Sequence, residues 1–293
     1  MKFLVTGSAG LIGQNVVQEL LKQNHEVYSC YHEDKPTTGI PISLDLTDST
    51  EIKKIMEKIK PDTVIHLAAM TKVDLCETEK ELAHTLNVTA TEILAYEAAK
   101  ISAFFVYVST DYVFDGKDGM KKEDDAPNPL GYYGKTKLEG ELSLNNLASN
   151  WAIARTSTPF GNHSKKKSFP LWINENLKSK NKIRLLTDQY TSPTYVPNLS
   201  KMIIEIAVRQ INGIIHLAGA SRISRYDFAV MIAERLGLDK TLLLKAKIED
   251  MNWKAKRPKD SSLDVTKAIE ILNEKPMEIQ KSLPLFIEEI TNQ

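Results

Sequence analysis

Tyr133 and Lys137 carry the most chemical content in this chain, standing four residues apart in the stretch YYGKTKLEGE at 132–141. On a helix that spacing puts both side chains on one face. A free phenol titrates near ~10 and exchanges protons poorly at neutral pH. An ammonium beside it stabilises the phenolate, lowers that pKa and makes the phenol a usable general acid. Lys135 follows Tyr132 by only three residues, so the Y-x-x-x-K spacing selects Tyr133. The pattern is common by chance and equally describes a surface pair, so its weight depends on what stands near it. Two hydroxyls, Ser109 and Thr110, end a very apolar run in YVSTDYVFDG at 107–116. At the C-terminal end of a strand in an open α/β sheet, a hydroxyl faces the ligand crevice and can bond a carbonyl oxygen. Asp111 beside them is either a further acid or a residue that fixes the loop.

The string VTGSAGLIG at 5–13 sets Gly7, Gly10 and Gly13 between an apolar strand and an amphipathic helix. In that context the glycines permit a tight turn, backbone approach to a pyrophosphate and close packing of helix on strand. The first turn of the helix, at Leu11 and Ile12, presents unpaired N–H groups and a positive dipole end to an anion. The second strand, in HEVYSCYH, ends at Tyr31 and His32, with Glu33 and Asp34 just beyond. An acid at that end would repel an adenosine 2'-phosphate, so the pattern favours NADP(H) and leaves NAD(H) open. No arginine stands ready to clamp the phosphate.

Positioning these groups requires a parallel sheet. Apolar runs predict strands over 2–6, 26–31, 63–69, 104–109, 151–156 and 214–218. Amphipathic stretches predict helices over 11–23, 49–60, 79–100 and 133–146, the βαβ rhythm of an α/β Rossmann-type doubly wound sheet. Asp48 or Ser49, Lys60–Pro61 and Thr78 supply helix boundaries. Residues 1–160 read as a dinucleotide-binding domain and 161–293 as a smaller substrate-binding lobe, interleaved with it, in which Pro170, Pro193 and Pro197 divide shorter elements. The segment HSKKKSF at 163–169 reads as a solvated loop rather than a basic patch.

The whole chain excludes several classes. Its 293 residues carry 38 basic and 38 acidic side chains, leaving no overall field for nucleic acid or an anionic membrane surface. Cys30 and Cys76 lack metal-ligand or disulfide-framework spacing and suit a reducing compartment. With a strand at the N-terminus and no run of about 20 apolar residues, a soluble cytoplasmic protein is expected.

Three strings, TGSAGLIG, STDYVFDG and YGKTKLEGE, resemble the extended short-chain dehydrogenase/reductases, specifically the dTDP-4-dehydrorhamnose reductase family. Two later ones, DQYTSPTYV at 188–196 and AKRPKDSSLD at 255–264, resemble its substrate-lobe motifs. The resemblance implies reduction of a 4-keto-6-deoxy sugar nucleotide by hydride from the dinucleotide. It selects Thr110 over Ser109 as the third catalytic residue beside Tyr133 and Lys137. It assigns Asp45 and Leu46 to the adenine, and Ala68, Ala69 and Thr156 to the cofactor, with Tyr133 and Lys137 also lining it. For Asp45 a turn role stays open, and for Asn87 a cofactor-side role and a buried structural amide are equal alternatives. Thr191, Ser192 and Arg257 are implied substrate contacts alongside Thr110 and Asp111, a structural ion pair being the alternative for Arg257. The chain departs from the family after Arg155, where TSTPFGNHSKKK replaces an aromatic, glycine-rich stretch. No metal ligands can be mapped onto it, and the resemblance leaves a homodimer open. The beta subunit of methionine adenosyltransferase carries the same motifs, so a regulatory subunit is the alternative from another class. An epimerase or dehydratase on the same scaffold is a third.

Overall fold

Every residue of Thr63–His66 and of Phe104–Thr110 is buried. Strands without apolar–polar alternation belong to a sheet covered on both faces. A computed structural model describes residues 1–144, 150–163 and 165–292. Its first half runs β1 (Lys2–Thr6), α1 (Leu11–Lys22), β2 (Glu26–Tyr31), β3 (Ile40–Ser43), α2 (Ser49–Ile59), β4 (Thr63–His66), α3 (Val73–Thr78), α4 (Lys80–His84), α5 (Ala90–Lys100), β5 (Phe104–Thr110), α6 (Tyr132–Leu144) and β6 (Trp151–Thr156). The second half holds β7 (Pro159–Phe160), α7 (Phe169–Lys178), β8 (Ile183–Leu186), β9 (Tyr190–Thr191), β10 (Thr194–Tyr195), α8 (Val196–Arg209), β11 (Gly213–His216), β12 (Ile223–Ser224), α9 (Arg225–Leu236), β13 (Leu243–Ala246), α10 (Thr266–Ile271) and α11 (Ile279–Thr291).

Seven strands form one parallel sheet in the order β11-β6-β5-β4-β1-β2-β3, the doubly wound arrangement expected from the sequence. One face buries Val16, Val17 and Leu20 of α1 with Leu199, Ile203 and Ile206 of α8. The other buries Ile52 and Met56 of α2 with Leu94 and Ala98 of α5. Asp48 caps α2 by accepting from the amides of Thr50 (2.8 Å) and Glu51 (3.1 Å), and Lys60 ends it in the left-handed region before Pro61. A separate core of Phe160, Ile173, Phe228 and Phe286 lies among α7, α9 and α11. Residues past 160 thus divide between two places, since α8 and β11 complete the main sheet. Among the described residues no helix is long and apolar enough to cross a membrane.

The differences from the sequence reading have local causes. The edge strand β3 gives little signal because it is mostly exposed and contains Pro41. Strand β4 stops at His66, not at residue 69, because the Thr6 hydroxyl accepts from the amides of Leu67 and Ala68 at 3.2 Å each and draws the chain off the ladder. The helix over 79–100 is interrupted by a π turn at Thr85–Thr89. The last two residues of the helix expected over 133–146, and Ser164 of the lysine-rich loop, lie outside the described residues.

Two buried histidines give the fold a pH dependence. Thr6 Oγ1, already accepting two amides, donates to His66 Nδ1 (2.7 Å), so His66 Nε2–H donates to Thr91 (3.1 Å). His216 donates from Nδ1 to the Asp264 carbonyl at 3.1 Å. Burial holds both neutral, lowering His66 from 6.5 to about 3 and His216 to about 4, with the charges of Lys137 and Arg155 respectively adding to it. The unfolded chain therefore binds more protons than the folded one below pH 6.5, and stability falls as pH falls. For each of these histidines the expected slope grows from about 0.7 kcal/mol per pH unit at pH about 6.5 toward about 1.4 near pH about 5. Urea unfolding across that range checks it, and an unchanged slope in His66→Gln would count against this origin.

Candidate active site

The glycine turn and the C-terminal strand ends build one crevice at the point where strand order reverses between β1 and β4. Gly7 sits at φ +65°, and a Cβ there would come within 2.8 Å of the Ala68 amide nitrogen. A Cβ on Gly13 would fall 2.1 Å from the Gly7 carbonyl oxygen. Only glycines let the turn, α1 and the loop after β4 meet this closely. Gly10 starts α1 with no side-chain cap and no acid in the first turn, leaving the amide end at Leu11, Ile12 and Gly13 for an anion. Tyr31 ends β2, and His32 lies near enough to Asp45 to lower that carboxyl further. The larger causes are bonds from Thr47: its amide at 2.8 Å and its hydroxyl at 2.7 Å both donate to Asp45 Oδ1. Asp45 is thus a turn residue by its contacts, and Leu46 packs at the margin of the α2 core. Ala68 lies against the glycine turn, with Ala69 next to it in the same loop.

Thr110 and Thr156 are paired in register at the ends of β5 and β6. The Tyr133 phenol lies beside the Thr110 hydroxyl, which acts to lower its pKa. Its ring meets Tyr112 edge-on at 6.0 Å. The Lys137 ammonium, one turn along α6, donates to the Val108 carbonyl (2.8 Å) and sits 4.0 Å from the centre of the Tyr107 ring. Burial pulls Lys137 down to about 7, with Glu141 opposing. Burial likewise raises the Tyr133 phenol well above its ordinary value, against the Thr110 hydroxyl. Lys137 is expected from the sequence to lower that pKa; in the structure burial raises it, and the ammonium is engaged by the Val108 carbonyl of β5.

Thr110 in turn donates to Asp111 Oδ1 at 2.9 Å. Ser157 donates to Asp111 Oδ2 (2.7 Å), and its oxygen lies 2.7 Å from Thr191 Oγ1. Thr191 continues to Thr158 Oγ1 (2.5 Å), which accepts from Arg225 at 3.2 Å. Burial raises the Asp111 pKa, opposed by hydrogen bonds from Ser261, Ser157 and Thr110. Ser192 is buried beside this network, its amide 3.3 Å from Ser157 Oγ. Ser157, Thr158, Arg225 and Ser261 are missing from the sequence reading. The one sequence signal was hydroxyl density after β6; the φ of +42° at Thr158, in the left-handed region, emerges only in the structure.

Two expected contacts are engaged elsewhere. Asn87 Oδ1 accepts from the Met70 amide (2.8 Å) while its Nδ2 donates to Thr136 Oγ1 (3.0 Å), tying α6 to the loop after β4. Arg257 forks onto Asp74 at 3.2 and 2.8 Å and stacks on Trp253 at 4.0 Å. By these contacts Asn87 ties α6 to that loop and Arg257 is ion-paired with Asp74.

The crevice fits a dinucleotide. Its glycine cradle has no room for side chains, and the Ser109 and Thr156 hydroxyls at its strand ends are buried without a hydrogen-bond partner.

Comparison with known proteins agrees over the whole length. The family described as RmlD substrate binding domain matches residues 1–292. The chain is 35% identical to the "Probable low-salt glycan biosynthesis reductase Agl14" of Haloferax volcanii, covering 91% of this chain and 90% of that protein. It is 33% identical to the dTDP-4-dehydrorhamnose reductase of Aggregatibacter actinomycetemcomitans, covering 96% and 97%. It is also 33% identical to methionine adenosyltransferase 2 subunit beta of Xenopus tropicalis, covering 90% and 80%. A solved dTDP-4-dehydrorhamnose reductase from Bacillus anthracis in complex with NADP superposes with a TM-score of 0.88 at 28% identity, covering 99% and 100%.

Proposed function

The chain belongs to the RmlD substrate binding domain family, and from that membership we propose that it reduces the 4-keto group of a 4-keto-6-deoxy sugar nucleotide, with dTDP-4-dehydrorhamnose as first choice. It is an NAD(P)H-dependent oxidoreductase, with NADP(H) favoured and NAD(H) left open. The observation that supports this is the juxtaposition of the Thr110 and Tyr133 hydroxyls at the C-terminal end of β5, in the same sheet that carries the glycine turn, with Lys137 one turn along α6. When bound, the dinucleotide supplies hydride to the carbonyl carbon.

The residues do the rest. Thr110 and Tyr133 take the carbonyl oxygen between their two hydroxyls. Burial keeps the proton on the phenol, which then gives it up as charge gathers on that oxygen. Lys137, near its midpoint at neutral pH, compensates the phenolate that remains. Gly7, Gly10 and Gly13 with the α1 amides would hold the pyrophosphate, and Tyr31, His32, Leu46, Ala68, Ala69 and Thr156 would border the rest of the dinucleotide. Thr191 and Ser192 line the sugar side through Ser157. The buried, unpaired Cys30 and Cys76 suit a reducing cytoplasm.

Supplying dTDP-4-keto-6-deoxy sugars with NADPH and with NADH, and following nicotinamide absorbance, tests the reading. No turnover with any of them, together with stable co-purification with a methionine adenosyltransferase, would move the assignment to a regulatory subunit. Asp111 makes a sharper test, because by accepting from Thr110 its carboxylate fixes the orientation of the hydroxyl that meets the carbonyl oxygen. Asp111→Asn should lower kcat about tenfold, the order expected when one charged hydrogen-bond partner is exchanged for a neutral one. Dinucleotide affinity should stay unchanged, and an unaltered kcat would leave Asp111 as a loop anchor only.

A further inference from the structure

The lysine-rich segment after Gly161 reads from sequence as a solvated loop, yet its described residues are tied to the dinucleotide crevice. His163 Nδ1 accepts from the backbone amides of Lys165 (3.0 Å) and Lys166 (2.9 Å). Its proton therefore sits on Nε2, which donates at 3.0 Å to the carbonyl oxygen of Ala9 inside the glycine turn. From that anchor Lys165 reaches across to an ion pair with Asp34, three residues past the end of β2. Asp34 is held below the usual carboxylate range, first by the hydrogen bond and charge of Lys165 and further by Lys166 and His163. The segment thus runs from the pyrophosphate turn to the strand end that borders the adenosine ribose. At that strand end Tyr31 and His32 bring no permanent cation, so the second lobe supplies the positive charge there.

We propose that Lys165 and Lys166 clamp the adenosine 2'-phosphate of NADP(H), with His163 anchoring the segment over the glycine turn. This rests on the dinucleotide reading of the crevice. Lys165 is 65% exposed and its pair with Asp34 is an exposed one, so exchanging that carboxylate for a phosphate costs little. The phosphate offers more charge and more acceptor oxygens than the carboxylate does. With NAD(H), whose 2'-hydroxyl carries no charge, Lys165 stays on Asp34.

The test is a fluorescence titration of NADPH and of NADH into the wild-type chain, Lys165→Ala/Lys166→Ala and Asp34→Asn. Removing both lysines should raise the NADPH Kd about tenfold or more and leave the NADH Kd within about twofold, since only the phosphate loses charged hydrogen bonds. Asp34→Asn should tighten NADPH and not NADH, because Lys165 then has no competing partner. Equal effects on both cofactors, or none on either, overturn the clamp while leaving the crevice a dinucleotide site. A wild-type chain that binds neither dinucleotide overturns the underlying reading and the clamp with it.

Discussion

Replacing Tyr133 by phenylalanine should cut turnover by about 10²- to 10⁴-fold, the range for loss of a general acid, with dinucleotide affinity and stability nearly unchanged. The substitution removes one oxygen. The phenyl ring keeps its edge-on packing against Tyr112 at 6.0 Å, and the helical position on α6 is undisturbed. What disappears is the hydroxyl beside Thr110, the acid that the proposed mechanism uses to protonate the carbonyl oxygen. Stopped-flow or steady-state kcat, read beside a dinucleotide titration, separates chemistry from binding. Undiminished turnover would remove Tyr133 from the mechanism.

The second large effect is on stability. Arg155 on β6 is 2% exposed and meets Glu141 of α6 through Nε at 3.0 and 3.2 Å and Nη2 at 2.6 Å. Its guanidinium also lies 5.1 Å from the centre of the Phe114 ring and 3.5 Å from His216 Nε2. Glu141→Ala would strand that cation in the interior and should cost about 3–5 kcal/mol. A paired replacement, Glu141→Leu with Arg155→Met, should recover most of the loss, because the expense lies in an unpaired buried charge rather than in a missing attraction. Urea unfolding of both variants measures the difference. A single variant within about 1 kcal/mol of wild type would mean that water reaches Arg155 once Glu141 is gone.

What could be read from the chain alone follows the reach of the forces involved. Strands such as Phe104–Thr110, and the glycines at 7, 10 and 13, announce themselves because burial on both faces and the turn geometry act over a few residues. The pair Tyr133 and Lys137 was legible for the same reason, one helical turn being a local distance. The partner of Lys137 was not: the Val108 carbonyl is 29 residues away in sequence, and only sheet register brings it there. Asp111 and Ser157, 46 residues apart, meet by the same kind of closure. Arg257 shows the limit of spacing arguments, since its Asp74 partner lies 183 residues upstream and no periodicity links them. The lysine-rich segment read as solvent-facing because its tie is to the carbonyl of Ala9, a backbone atom that carries no sequence signal.

The edge of the main sheet is filled late, by residues 213–216, after the chain has passed through β7, α7, β8, β9, β10 and α8. During synthesis β6 therefore stands with one row of amides and carbonyls unmatched, and the apolar stripe of α1 waits for α8 to emerge before it is covered. A ribosome-bound chain of this protein carries an adhesive flank from the emergence of β6 until residues 213–216 follow. Unlike a fold whose sheet closes in chain order, it offers no early stopping point at which a stable half could be released.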